Sequence, residues 1–348
     1  MSLNKKQVYE IYWAALRGET IEADLFPLIM ERARHEGVLP YLAFLHPDIP
    51  QRAEIRRSSM AEHLFRVRLV GAVKSALDSA KIPWVILKGL AVATKYYVEP
   101  WSRPSGDCDI LVRKVDKITA ISALKQIGFY STPHHRELLI SEFGEVDIHS
   151  GFLNAERITA RRTVFERTPD WDRRVKYIES DVGQLPVLDD RDEAIYLTLH
   201  LTHHHGLSGA RWIIDLAKAI KKNSGIVEDI LSLGKSGVLT LNVIKFLFEL
   251  DLSLESFPMS RFDRIVMESA YEGLDVPGIR FILSCREIGD WKERISFMRQ
   301  AIIPDKNVLN SAAYSTKKRP FYFHVERILK TGLGLCRLYW KSIGGFEN

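Results

Sequence analysis

Cysteine is scarce in this 348-residue chain, with only three residues at Cys108, Cys285 and Cys336. They are too few for a disulfide framework and share no metal-ligand spacing, so neither a disulfide scaffold nor a cysteine zinc site is expected. Long apolar runs are also missing. The longest charge-light stretch, Ala194 to Ala210, carries four histidines and is no bilayer span. The first residues, Met1-Ser-Leu-Asn-Lys-Lys-Gln7, have no apolar segment behind their charges, so a secretory signal is not expected. Charge of one sign does not dominate either, since 49 basic residues against 44 acidic ones leave +5. A long nucleic-acid track is thereby disfavoured. Low-complexity linkers and internal repeats are absent. With 46% hydrophobic and 27% charged residues the composition is that of a folded protein, and a cytoplasmic location is expected.

What is present divides into three textures. Residues 1–80 read as helical: Val8, Ile11, Tyr12, Ala15 and Leu16 follow a helical period that Gly18 can end. An interrupted segment spans Leu28 to Leu45, and a longer helix runs from about Arg52 toward Lys81. Residues 81–188 carry β-type runs at Trp84–Leu87 and Cys108–Val112, and a helix after Asp116 ends at Gly128. A hairpin follows, Glu137–Ser141 and Glu145–His149, joined through Glu142-Phe143-Gly144. After about Gly151 the chain reads as helical again, and residues 189–348 form a C-terminal helical region. The expected fold class is α+β, a small mixed-sheet core between two helical regions.

The chemistry concentrates in Arg103-Pro-Ser-Gly106-Asp107-Cys-Asp109-Ile-Leu-Val112. Residues i and i+2 of a strand share a face, so Asp107 and Asp109 project together. Adjacent carboxylates resist burial unless something neutralises them, and a divalent cation with oxygen ligands does so. Asp147, flanked by apolar residues in Glu145-Val-Asp-Ile-His149, is the natural third acid. Convergence of all three would suit two magnesium ions handling a nucleoside triphosphate.

Leu87-Lys88-Gly89, then Arg103-x-x-Gly106-Asp107-x-Asp109, then Val146-Asp147-Ile-His149 resemble the nucleotidyltransferase superfamily that includes polymerase-β-like enzymes. The pattern looks most like its bacterial branch of uncharacterised nucleotidyltransferases, as does His200-Leu-Thr-His203-His204-His205-Gly206 followed by Arg211-Trp-Ile-Ile-Asp215. The resemblance implies a nucleotidyltransferase core and metal-dependent transfer of a nucleotidyl group from a nucleoside triphosphate such as ATP. It further implies Asp107, Asp109 and Asp147 as catalytic metal ligands for Mg2+, with Mn2+ as the alternative ion. Lys88, Gly89, Arg103 and Gly106 would contact the nucleotide. The loop holds Gly89-Leu90 where the superfamily usually has Gly-Ser or Gly-Gly, so a serine contact to phosphate is missing from that place. The acceptor, a small molecule, peptide or RNA, would be recognised by the helical flanks. Alternatives are a non-catalytic nucleotide-binding or scaffold protein of the same fold, or a phosphotransferase acting on a peptide or small molecule.

Each residue also has a plainer role open to it. Lys88 can pair with a carboxylate, and Arg103 can form a structural ion pair. His200, His203 and His204 can share a helix face as ordinary polar residues beside the core, or form a hydrolase-like site with Asp215. His149 shares the face of Asp147. The aromatic and basic tail from Phe321 to Lys341 is expected to pack on the chain's own core, with peripheral membrane contact the lesser alternative.

Overall fold

A reciprocal cap starts the first helix. Asn4 Oδ1 accepts the Gln7 amide at 3.0 Å and Gln7 Oε1 accepts the Asn4 amide at 2.9 Å. That helix, α1 (Lys5–Arg17), ends at Gly18, whose φ of +88° suits a left-handed C-cap. The computed structural model describes residues 3–132, 135–154, 170–252, 259–276, 278–302 and 319–343. Next come α2 (Phe26–His35), α3 (Leu39–Leu45) and the long α4 (Arg52–Ser79). The break between α2 and α3 holds Gly37 at φ +67°, and Pro40 opens α3, as the interrupted pattern suggested.

The middle of the chain builds β1 (Trp84–Ile86), α5 (Leu90–Tyr96), β2 (Cys108–Val112), α6 (Lys117–Gln126), β3 (Tyr130–Thr132), β4 (His135–Ser141), β5 (Gly144–His149), β6 (Lys176–Ser180) and β7 (Gly183–Val187). These strands form one sheet in the order β3-β4-β5-β2-β1-β7-β6. Strand β1 runs antiparallel to β2 and parallel to β7, and β2 runs parallel to β5. The fold is therefore the expected α+β class with a mixed sheet.

The expectation that the chain turns helical after Gly151 is corrected by the β6–β7 hairpin. Its signal is faint for physical reasons. Strand β6 is an edge whose residues are largely exposed, so period-2 alternation scarcely shows. In β7, Pro186 interrupts the β-type run, yet it is tolerated because β7 meets β1 only at Val187. The β4–β5 connection is also tighter than expected: Ser141 pairs directly with Gly144, which opens β5 at φ +121°. Two basic pairs of the sequence, Arg161-Arg162 and Lys317-Lys318, lie outside the described residues.

Alternation along the strands sorts the sheet into two faces. Trp84, Ile86, Ile110, Val112, Val146 and Ile148 pack against Leu69, Val73 and Leu77 of α4 and Leu124 of α6. Val85, Leu87 and Leu111 point the other way and join a larger core. That core contains Tyr12 and Trp13 of α1 together with Leu197 of α7 (Asp190–Leu199) and Leu216 of α8 (Ala210–Lys222). Helices from both ends of the chain thus cover the face that carries Asp109 and Asp147. Beyond them lie α9 (Ile226–Leu231), α10 (Lys235–Phe248), α11 (Arg261–Glu272), α12 (Ile279–Glu287), α13 (Trp291–Ile302) and α14 (Pro320–Ile343). Among the described residues no helix is long and apolar enough to cross a membrane.

The approach of α10 to α9 requires glycine. A Cβ on Gly237 would lie 1.9 Å from the Ile230 carbonyl oxygen and 2.8 Å from its carbon. Backbone cannot swing aside as a side-chain tip can. Gly237→Ala is expected to destabilise the protein by about 3 kcal/mol, measured by urea unfolding. Gly332→Ala in α14, where an added Cβ meets nothing within 4 Å, is the control. It should be neutral or stabilising by about 0.5–1 kcal/mol.

Candidate functional site

Register places the acids. In the parallel β2–β5 pair, Asp109 stands opposite Asp147 and Leu111 opposite His149. The two-residue side-chain period then turns Asp109, Asp147 and His149 to one face. Their donor atoms all lie within 4.8 Å of one another. His149 Nε2 is 2.9 Å from Asp109 Oδ1 and 3.4 Å from Asp147 Oδ2, so one N–H is shared unequally between both carboxylates. Lys88 Nζ, from the turn after β1, reaches Asp109 Oδ2 at 3.1 Å. That oxygen is buried and takes no well-aligned hydrogen bond.

Asp109 is only 4% exposed. Burial alone would push its carboxyl pKa up, but the Lys88 ammonium and the His149 contact outweigh that cost and hold it down at about 2. It is an ionised carboxylate throughout the neutral range. Asp107 sits just ahead of β2, exposed at the entrance, and is not part of the close Asp109–Asp147–His149 trio. It is nevertheless near. Burial first, then the charges of Asp109, Asp107 and Asp147, raise the pKa of Tyr196 on α7, which places all three acids within electrostatic reach of one hydroxyl.

The loop beside the acids explains two glycines differently. Gly89 has φ +63° and ψ −116°, and a Cβ there would meet Ser105 Oγ at 2.6 Å. Both the backbone conformation and the close approach exclude a side chain. Gly106 is exposed, and a Cβ on it would meet nothing within 4 Å. Ser105 therefore brings a hydroxyl against the Gly89 turn from another part of the chain. This restores a serine to the loop that local sequence lacked. Motif reading missed it because the neighbours are distant in sequence, and only the fold joins them.

Arg103 has a definite partner. Its Nε donates to Asp215 Oδ1 at 3.1 Å and its Nη2 to Asp215 Oδ2 at 2.6 Å, while the Tyr97 hydroxyl donates to Oδ1 at 2.7 Å. Arg103 and Asp215 are both buried. Asp215 thus serves this pair and not a histidine-aspartate site. The Arg103 guanidinium carbon still lies 5.5 Å from the Trp212 ring centre, and Lys88 Nζ lies 5.4 Å from the same ring. The histidines divide as well. His200, His204 and His205 gather their ring nitrogens within 4.8 Å of one another, whereas His203 bonds Ser284 and Ser236.

A family profile described as uncharacterised nucleotidyltransferase matches residues 12–240, more than half of the chain. No curated protein matches. Among solved structures, the chain is similar to the antibiotic-resistance factor ANT(2'')-Ia, known from a solution structure, at 11% identity. That likeness covers 52% of this chain and 95% of the other, with a TM-score of 0.37.

The Arg103–Asp215 pair ties the loop ahead of β2 to α8, so its loss should be felt as instability. Asp215→Ala leaves a buried guanidinium and the Tyr97 hydroxyl without their acceptor. A loss of about 3–5 kcal/mol is expected in denaturant unfolding. The combined Arg103→Met, Asp215→Leu variant should recover a large part of that loss, because no charge is then stranded.

Proposed function

The chain belongs to the family of uncharacterised nucleotidyltransferases, and from that premise we propose a metal-dependent transfer carried by Asp107, Asp109 and Asp147. The substrate is a nucleoside triphosphate. The acceptor is a hydroxyl or phosphate of a small molecule, peptide or RNA. The observation that carries the reading is the β2–β5 register, which sets two carboxylic side chains next to each other on one face.

The donor set fits a hard divalent cation. Asp109 and Asp147 offer carboxylate oxygens within 4.8 Å, and exposed Asp107 precedes Asp109 on the same face. Asp109 Oδ2 is a buried anionic oxygen whose cationic neighbour, Lys88, is a flexible side chain able to move to phosphate. Asp107, Asp109 and Asp147 would hold Mg2+, or Mn2+ in its place. Such ions would neutralise triphosphate charge and activate the acceptor oxygen.

The chain's own residues supply position. His149 fixes the two carboxylates relative to each other through its shared N–H. Gly106 leaves room for the triphosphate beside the backbone, and at Gly89 the close-set Ser105 hydroxyl is the nearby donor for a phosphate oxygen. Lys88 follows the negative charge as it shifts to the leaving group. Arg103, engaged with Asp215, acts on the nucleotide through its field rather than by a direct fork. The acceptor oxygen forms a bond to the α-phosphorus, the α–β bridging bond breaks, and pyrophosphate departs with the electron pair. The acceptor proton passes to Asp147, whose side chain is only partly buried, and on to water.

Incubation with labelled nucleoside triphosphates and Mg2+ should release pyrophosphate and label the acceptor. Asp109→Asn and Asp147→Asn should each lower turnover at least about a hundredfold while far-ultraviolet circular dichroism is retained. Release of a nucleoside diphosphate would replace this reading with phosphoryl transfer. Undiminished turnover in Asp147→Asn would remove the carboxylate mechanism.

A further inference from the structure

Beside the carboxylates stands a second polar cluster that the metal-carboxylate chemistry does not use. Helix α7 passes into a π-helical turn at His200–His204, a distortion that often accompanies functional sites. The turn gathers His200 and His204 into a stack with ring centres 5.0 Å apart, and His205 lies on the Trp212 indole at 4.7 Å. His200 is 4% exposed. Among the described residues neither His200 nor His205 makes a side-chain hydrogen bond. Their ring nitrogens, on a buried and a half-buried residue, are therefore open to a bound group.

Three imidazoles suggest a transition metal at first sight. The surrounding charges argue otherwise. Lys88, Arg211 and Arg103 lie 5.4, 5.1 and 5.5 Å from the Trp212 ring centre. Arg280 Nη1 donates to the His204 carbonyl oxygen at 3.0 Å. Arg103 is balanced by Asp215, but among the described residues neither Arg211 nor Arg280 forms an ion pair, and Arg211 Nε is buried without a hydrogen bond. Burial first, and then these cations, hold the pKa of His200 well below its usual value and that of His205 at about 3. The cations in that set, Lys88, Arg103, Arg211 and Arg280, repel a divalent ion as well. An anion is drawn into the same field, where it meets imidazole N–H donors and unpaired guanidinium groups.

We infer that His200, His204 and His205, with Arg211 and Arg280, form a phosphoryl-anion site next to the carboxylates. Lys88 joins the two clusters, since it pairs with Asp109 and also lies over Trp212. The inference rests on the nucleotidyl-transfer reading for its ligand. That ligand is either the non-transferred phosphates of the nucleotide or a phosphate carried by the acceptor.

The test is calorimetric titration of the full chain with inorganic pyrophosphate in the presence of a chelator, so that no divalent ion contributes. Saturable one-to-one binding is expected, weakened at least about tenfold in Arg280→Ala and in His205→Ala. Arg280 is exposed, so its replacement leaves the fold intact. Asp147→Asn should bind pyrophosphate at least as tightly as wild type while losing turnover, which separates failure of this site from failure of the carboxylates. A second titration, with inorganic phosphate on protein saturated with Mg2+ and a non-hydrolysable triphosphate, assigns the source. Exclusion of phosphate assigns the site to the nucleotide's own phosphates, and binding alongside the nucleotide assigns it to the acceptor. Absence of saturable pyrophosphate binding overturns the inference, as does an affinity unchanged in both variants. Stoichiometric Zn2+ or Ni2+ retention lost in His200→Gln would make the cluster a metal site instead.

Discussion

The parallel pairing of β2 with β5 is the constraint on which the rest depends. A shift of one residue in that register would turn Asp147 or Asp109 into the apolar layer against α4 and α6, where no counter-charge waits. The observed register is specified from both sides. Ile110, Val112, Val146 and Ile148 demand the buried α4–α6 face, so the acids between them are forced onto the other one. Hydrophobic burial thereby places two like charges side by side. Electrostatics alone would separate them.

The repulsion is contained by a small set of partners. His149 spans both carboxylates, and Lys88 covers the second oxygen of Asp109. Of these, Lys88 is the mobile element, a point charge on a flexible stem, while His149 is fixed by its own place in β5 opposite Leu111. Arg103 works at the next level. By gripping Asp215 of α8, with Tyr97 as third member, it sets the C-terminal helices at a fixed distance from the mouth of β2. The wall that faces the carboxylates is therefore positioned by buried charge and hydrogen bonding as well as by apolar contact.

Much of this was legible in the sequence, in proportion to how local each signal was. Helix α1 carries its apolar period and its terminating glycine within one stretch, and the structure follows them. The strands of Asp109 and Asp147 were visible because flanking apolar residues have no other reason to alternate with acids. The β6–β7 hairpin was not, since an exposed edge strand lacks alternation and Pro186 reads as a breaker. Three features of the site depended on distant pairs: Ser105 against Gly89, Arg103 with Asp215, and the sorting of the histidines. For the last, a regular helix would group His200 with His203 and His204, but the wider π turn brings His205 round and sends His203 to Ser236 and Ser284. Nothing in the spacing signals that change of winding.

Sign of charge divides the surroundings of Lys88 more sharply than residue type does. One side, from β2 and β5, is acidic. The other, from the π turn with Arg211 of α8 and Arg280 of α12, is cationic, and burial first and then nearby cations hold the pKa of His200 and His205 down. Neither side is comfortable alone, because each gathers like charges in a place where solvent is partly excluded. A ligand that carries cations at one end and phosphoryl oxygens at the other relieves both at once. Lys88, shared between the sides, is where the two fields meet. Binding that neutralises one side must alter the hold of the other on that ammonium. The two clusters are in this sense one electrostatic unit, although they come from the sheet and from the helices that cover it.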